Sequence, residues 1–141
     1  MVTLVSLILL SCSSSDSDEN NSDSLVGRWQ IQNVEWSENG GPFVNIDNAL
    51  VCSNDFYAGW SSNSCQANDT WEFTNSTAIS ISHIGQIGNC QSSTFTSSYS
   101  TQGSTLSWDG YDLSYSISGN TLEVNYTEGN CITKLTYSRI N

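Results

Sequence analysis

The chain is poor in positive charge and in histidine. It contains 3 basic residues, Arg28, Lys134 and Arg139, against 14 acidic ones, and it has a single His. Binding to nucleic-acid phosphates needs clustered Lys or Arg, so a nucleic-acid partner is excluded, and anionic lipid headgroups would be repelled. One histidine with no motif around it provides no Ser-His-Asp arrangement. We therefore expect a protein that is not an enzyme.

Long apolar runs are also missing, except at the start of the chain. Residues 1–10, MVTLVSLILL, are almost wholly apolar, but a membrane-spanning helix needs roughly 20 such residues. The length is typical of the hydrophobic region of a secretory signal, which ends at small residues. The alternative is a buried segment of the core, and the Ser and Asp residues that follow argue against it.

The tetrapeptide Leu9-Leu10-Ser11-Cys12 resembles the lipobox of bacterial lipoproteins, in which the bond before the cysteine is cut and its thiol is acylated. The resemblance implies a signal peptide at 1–11 and an acyl anchor on Cys12, and an ordinary secretory signal is the alternative. The protein would then be held at the outer membrane or cell surface, with its domain in the periplasm or the extracellular space. No Lys or Arg precedes the apolar run, so we expect a few residues upstream of Met1.

Residues 12–24 follow this cysteine with Ser, Asn and acidic residues and no large apolar side chain. Such a segment cannot bury enough surface to order itself, and we predict a disordered tether. Its acidic cluster resembles the surface-export signal of Bacteroidota lipoproteins. A plain solvated linker is the alternative.

Helical periodicity is absent from residues 25–141, where apolar residues alternate and Leu and Ala are scarce. This pattern predicts an all-β domain. Eight strands are expected, at 26–36, 69–74, 78–84, 94–101, 105–108, 111–117, 121–127 and 131–140. Without crossover helices they form an antiparallel meander, and closure into a barrel removes its exposed edges. Residues 43–68 are polar and weakly periodic, and we interpret them as an insertion at one end of the barrel.

Four segments carry a family resemblance, and residues 69–74 and 120–124 are two of them. Leu25-Val26-Gly27-Arg28-Trp29 resembles the G-x-W opening strand of lipocalins, and Leu135-Thr136-Tyr137-Ser138-Arg139 resembles the closing strand of lipocalin-like domains in Bacteroidota lipoproteins. The resemblance implies an eight-stranded antiparallel up-and-down barrel over 25–141. It also implies that Trp29 is covered by Arg139, a contact that contributes about 0.5–2 kcal/mol.

Four cysteines remain once Cys12 is assigned to lipid, and an even number in an exported chain predicts disulfides. A hairpin around Ser76 brings Cys65 near Cys90, which leaves Cys52 to pair with Cys131. Cys52–Cys65 with Cys90–Cys131 is the alternative. There is no C-x₂-C spacing, so we expect neither a metal nor another cofactor.

Several aromatic residues and the single histidine lie on apolar strand faces, and these are the candidate ligand-lining residues: Trp71, Phe73, His83, Phe95, Tyr99, Tyr111, Tyr115, Tyr126 and Tyr137. His83 shares its strand parity with two Ile residues, which predicts an inward side chain. Eight-stranded barrels are filled by side chains or hold one small ligand. We favour a mostly filled barrel with a shallow cup.

Two functions follow. The first is a monomeric, lipid-anchored binding protein that holds a small apolar or amphipathic molecule in the cup. The alternative is a protein-interaction or protease-inhibitor module that acts through Phe56, Tyr57 and Trp60 in the 43–68 loop, because aromatic residues in a polar loop often mark a contact surface. An open aromatic cavity would favour the first function, and a filled barrel with exposed loop aromatics would favour the second.

Overall fold

The computed structural model describes residues 24–46 and 60–141. These residues form nine β-strands and a single-turn 3₁₀ helix at Cys65–Asn68. The strands are β1 (Gly27–Glu38), β2 (Val44–Asn45), β3 (Thr70–Phe73), β4 (Thr77–Gln86), β5 (Asn89–Gln102), β6 (Thr105–Trp108), β7 (Tyr111–Ser118), β8 (Thr121–Glu128) and β9 (Cys131–Ile140). No helix in these two ranges is long and apolar enough to cross a membrane.

Eight of the strands close into an up-and-down barrel. From β3 to β9 each strand pairs antiparallel with the next, and β1 pairs with β3 on one side and with β9 on the other. The two-residue β2 adds to β1 near its end, at Glu35 and Trp36. The predicted all-β, eight-stranded antiparallel barrel is therefore confirmed.

A bulge in β1 lets one long strand face the core along its whole length. Trp29 and Ile31 point inward, the register against β9 shifts between Ile31 and Asn33, and Val34 and Trp36 then point inward. A bulge inserts one residue without a partner and so reverses the alternation of faces. All four of these apolar side chains are buried as a result.

The barrel interior is filled by interlocking aromatic rings. Trp71 lies at the centre, with ring centroids 5.4 Å from Tyr137, 5.0 Å from Trp108 and 5.5 Å from Phe73. Smaller residues complete the core, among them Val34, Leu106, Leu122 and Val124. Offset and edge-on contacts at these distances are the favourable geometries for aromatic pairs. The predicted mostly filled barrel agrees with this packing.

The alternating chain direction defines two ends of the barrel. The first, here called the Trp29 end, carries the start of β1, the end of β9 and the β5–β6 and β7–β8 turns. The second, the Trp108 end, carries the β6–β7 turn at Asp109 and Gly110 and the β8–β9 turn. β4 and β5 extend past their neighbours at the Trp108 end, because β3 pairs with β4 only up to Ile81 and β6 pairs with β5 only from Tyr99 onward. We call this two-stranded extension, residues 82–98, the ribbon.

Part of the 43–68 insertion packs on the outside of the barrel. The 3₁₀ helix lies against β4 and β1, and the Gln30 side chain donates a hydrogen bond to the carbonyl of Ala67 at 3.2 Å. A disulfide joins Cys65, in this helix, to Cys90, in the ribbon, which confirms that predicted pair and excludes the alternative pairing. Cys131 is also disulfide-bonded. Its predicted partner, Cys52, lies outside the described residues, so that pair stays a prediction.

Candidate functional site

The predicted contact between Arg139 and Trp29 closes one end of the barrel. The guanidinium carbon lies 4.2 Å from the centroid of the indole ring, and the two residues face each other across β9 and β1. The guanidinium donates hydrogen bonds to the carbonyls of Val26, at 2.9 Å, and Ser24. The indole N–H donates to the carbonyl of Leu25 at 2.8 Å. These donors bind backbone carbonyls of the chain that enters β1, so the contact acts as a structural closure of the Trp29 end.

The structure divides the predicted ligand-lining residues into three groups. Trp71, Phe73 and Tyr137 are buried in the core. Tyr99, Tyr115 and Tyr126 are half-buried and pack against it. Phe95 and Tyr111 are 46% and 51% exposed and lie toward the Trp108 end. Tyr99 and Tyr111 line the cleft described below.

His83 does not point inward, contrary to the prediction. Trp71 and Phe73 pair with Ser80 and Ala78 across β3 and β4, and the register of β4 against β5 runs without a shift to His83. His83 therefore has the parity of the outer face. The prediction failed because Ile79 and Ile81 look like core residues in the sequence, whereas they lie on an outer face against which the 3₁₀ helix packs.

The partner of His83 is a buried carboxylate. Asp69 is 4% exposed, and its Oδ1 accepts the backbone N–H of His83 at 2.6 Å and lies 3.3 Å from His83 Nδ1. Burial raises the pKa of Asp69, and the hydrogen bonds and charge of His83 offset part of this rise. The pair joins the start of β3 to β4, so its role is structural.

The prediction for Trp60 as a contact residue is also wrong. Trp60 is only 4% exposed and belongs to the hydrophobic core. It is not available as a contact residue of the insertion. Phe56 and Tyr57 lie outside the described residues. Phe43, at the start of the insertion, is 40% exposed. Lys134 Nζ lies over its ring in a cation–π contact, 4.7 Å from the ring centroid.

A cleft of about 520 Å³ lies at the Trp108 end, in the notch between β5 and the β6–β7 turn. It exists because β6 ends at Trp108 while β5 continues into the ribbon. Its lining combines aromatic rings, serines and two carboxylates, from Ser97, Ser98, Tyr99, Ser100, Ser107, Trp108, Asp109, Gly110, Tyr111 and Asp112. Volumes of this size suit small organic molecules.

The aromatic side of the cleft is held in place by contacts between rings. Phe95 and Trp108 meet edge to face with centroids 5.8 Å apart, and Tyr111 and Tyr126 do so at 5.7 Å. Tyr99 is anchored by its hydroxyl, which donates to the carbonyl of Thr74 at 2.5 Å. Burial, with the neighbouring Tyr115, raises the pKa of Tyr99, so this hydroxyl remains a donor at neutral pH.

The charge at the cleft is negative. Asp109 and Asp112 line it, and Ser107 donates a hydrogen bond to Asp112 at 2.5 Å. The three basic residues make their contacts elsewhere. Arg28 Nε lies 3.7 Å from Glu72 Oε2, and Lys134 Nζ lies 2.6 Å from Glu35 Oε2. Arg139 covers Trp29. Because both charged residues of its lining, Asp109 and Asp112, are acidic, the cleft favours cationic or neutral ligands over anions. Trp108 Nε1 is buried and has no hydrogen-bond partner among the described residues.

The sequence predicted only two of the cleft-lining residues, Tyr99 and Tyr111, as ligand-lining. Trp108 alternates with Leu106, which marks it as inward, but nothing in the sequence shows that β6 ends earlier than its neighbour. Asp109 and Asp112 stand on either side of a turn, and two carboxylates are too few ligands to predict a calcium site from the sequence. In the described residues, no group of three or more His, Cys, Asp or Glu side chains could hold a metal ion.

Comparisons with known proteins add no relative: no family model matches the chain, and no curated protein and no solved structure matches it significantly.

Proposed function

We propose that the protein is a lipocalin-like binding protein that holds a small amphipathic molecule, neutral or cationic, in the cleft at the Trp108 end. The observation that carries the proposal is the cleft itself, which combines about 520 Å³ of space with the rings of Tyr99, Trp108 and Tyr111. The filled interior moves the binding site from the centre of the barrel to its rim. Rings supply apolar area, and Asp109 and Asp112 supply the charge that selects the ligand.

We propose further that the chain is anchored through an acylated Cys12 at the outer membrane or cell surface. Cys12 lies outside the described residues. The arrangement of the barrel supports the proposal, because Ser24 and Leu25 lie at the Trp29 end, opposite the cleft. A tether ending there would leave the cleft directed away from the membrane. Cys12→Ala, expressed with an intact upstream signal, should abolish both fatty-acid incorporation and partition into detergent.

Binding is tested with Nile red, a neutral amphipathic dye whose emission rises in apolar surroundings. Tyr111→Ala removes an exposed wall of the cleft and should weaken dye binding by roughly tenfold, or about 1.4 kcal/mol, which is within the range of about 0.5–1.5 kcal/mol for one aromatic contact. Phe43→Ala is the matched control, since Phe43 is an exposed ring outside the cleft. Equal binding by the two variants, or absence of dye binding by the parent protein, would overturn the proposal.

The interaction or protease-inhibitor function through the 43–68 loop remains the alternative. Burial of Trp60 removes one of its three aromatic residues. The loop function now depends on Phe56 and Tyr57, and Phe56→Ser with Tyr57→Ser tests it by the loss of inhibition in a protease assay.

A further inference from the structure

The ribbon exposes a long backbone edge beside the cleft. β5 begins at Asn89, but its pairing with β6 begins only at Tyr99. In the described residues no other strand pairs with this edge of β5. Residues 89–96 are exposed on the surface of the protein. The backbone donors and acceptors along this edge are therefore open to another strand.

The edge lacks the features by which proteins normally protect such edges. Exposed edge strands usually carry charged residues or proline, which prevent pairing with other chains. Residues 73–108 contain no Asp, Glu, Lys, Arg or Pro, although the whole chain has a net charge of −11. Ile84 and Ile87 in the ribbon are 60% and 74% exposed. The ribbon is thus uncharged, partly apolar and unprotected.

The ribbon is also held in place before any partner arrives. The Cys65–Cys90 disulfide fixes it to the 3₁₀ helix on the barrel wall, and Phe95 contacts Trp108 at the end of β6. A preorganised edge loses less conformational entropy on binding. Strand addition to such an edge is a recurring mode of peptide recognition, in which main-chain hydrogen bonds supply the affinity.

The position of β6 defines which direction an added strand would take. β6 runs antiparallel to β5 and leaves it where Trp108 pairs with Tyr99. A strand that continues along the edge in the same antiparallel sense would begin beside Asp109 and run toward Asn89. Its amino-terminal end would then lie next to Asp109 and Asp112. A parallel strand would bring its carboxyl-terminal end there instead, and like charges would oppose it.

From these observations we propose that the β5 edge of the ribbon binds an extended segment of another protein as an added antiparallel strand, with a free amino terminus or basic residues at the amino-terminal end of that segment. The partner is recognised by its backbone along the edge and by its positive charge at Asp109 and Asp112. This inference goes beyond the proposed small-ligand function and shares with it the two carboxylates and the Ser97–Ser98 end of the edge.

The probe is the octapeptide RKTVTVTV with a free amino terminus and an amidated carboxyl terminus, titrated by calorimetry and by amide NMR. We expect the largest shifts of amide resonances in residues 89–98. Complete N-methylation of its peptide nitrogens keeps the charge but removes the donors, and should weaken binding at least roughly tenfold. The reversed peptide VTVTVTKR, acetylated at its amino terminus, places its charge at the wrong end and should also bind at least roughly tenfold more weakly.

The charge contribution is tested by replacing Asp109 and Asp112 together with Asn, which should weaken binding of RKTVTVTV roughly fivefold or more at low salt. The matched control replaces Glu38, on β1, and Glu72, on β3, with Gln; it removes the same charge from strands that pair with neither β6 nor β7 and should leave binding nearly unchanged.

Several results would overturn the inference. Equal binding of the N-methylated peptide excludes strand addition, and equal binding of the reversed peptide excludes the proposed direction. Concentration-dependent self-association without peptide binding would assign the edge to a second copy of the chain. If Nile red binds but the peptide does not, only this inference fails. If the peptide binds but Nile red does not, only the small-ligand proposal fails.

Discussion

Arg139 and Trp29 face each other across the seam that closes the barrel, with the guanidinium carbon 4.2 Å from the indole centroid. The two residues lie near opposite ends of the chain, so only the return of β9 to β1 brings them together. Trp29 is fully buried, and the guanidinium forms its cover.

Arg139→Lys keeps the charge but removes the planar surface that covers the ring and one of the paired donors to the chain entering β1. We expect the free energy of unfolding to fall by about 1–2 kcal/mol, measured by denaturant unfolding followed through Trp fluorescence. Arg28→Lys is the control, because Arg28 lies on the exposed face and its one ion pair within residues 24–46 and 60–141, with Glu72 at 3.7 Å, is on the surface. Equal small losses in both variants would contradict this account of the closure.

Gly27 is needed for the same contact. A Cβ at this position would lie 2.6 Å from Arg139 Nη1, and the backbone has a φ of +136°, which is unfavourable for residues other than glycine. We expect Gly27→Ala to destabilise the protein by about 2 kcal/mol or more. In an Arg139→Ala background the clash disappears and only the backbone strain remains, so the cost of Gly27→Ala should be smaller there. A cost of the same size in both backgrounds would exclude the clash as its cause.

The strands that are buried on one face were predictable from the sequence. The strands predicted at 105–108, 111–117, 121–127 and 131–140 match β6 to β9 to within a residue, because each alternates between the core and solvent. The start of β5 was placed too late, since residues 89–93 of the ribbon have both faces in solvent and no alternation marks them. The prediction that His83 points inward was wrong for the opposite reason, because β4 has neighbours on both faces.

The cleft could not be predicted from the sequence of any single segment. It depends on the difference in length between β5 and β6, on the turn at Asp109, and on the contact of Phe95 with Trp108 from the part of β5 beyond its pairing with β6. Hydrophobic alternation reports which face a residue occupies and does not report where a neighbouring strand ends. The bulge of β1 between Ile31 and Asn33 was missed likewise, since Gln32 looks like an ordinary outward residue.

The Cys65–Cys90 disulfide should stabilise the protein by restricting the unfolded chain. The two cysteines are separated by 25 residues, and a loop of that size corresponds to about 3.5 kcal/mol in the loop-entropy model. We expect the double variant Cys65→Ser, Cys90→Ser to lose up to this amount in urea unfolding. Hydrogen exchange should also rise more in residues 82–98 than in β6 to β9, since only the ribbon loses its attachment. Uniform acceleration across the barrel would contradict this role.

Asp69 should make the stability of the protein depend on pH. Burial raises the pKa of its carboxyl above the ordinary value, despite the opposing hydrogen bonds and charge of His83. The folded protein therefore holds this proton more tightly than the unfolded chain does. The free energy of unfolding should fall as pH rises from the ordinary Asp pKa of about 3.9 to the higher value of the folded state, and it should then stay level.

In the parent protein Asp69 Oδ1 accepts a hydrogen bond from the backbone N–H of His83 at 2.6 Å. Asp69→Asn keeps this hydrogen bond, because the amide oxygen is also an acceptor, but it removes the ionisable group. We expect the variant to lose the falling component between pH 4 and neutrality and to be at least as stable as the parent protein at pH 7. Asp69→Ala removes the acceptor as well and leaves the N–H of His83 unpaired, so it should cost about 1–3 kcal/mol at every pH. Thermal unfolding of the three proteins across this range provides the measurement. Parallel pH profiles for the parent and Asp69→Asn would show that Asp69 does not carry the dependence, since the two proteins differ only in the ionisable group.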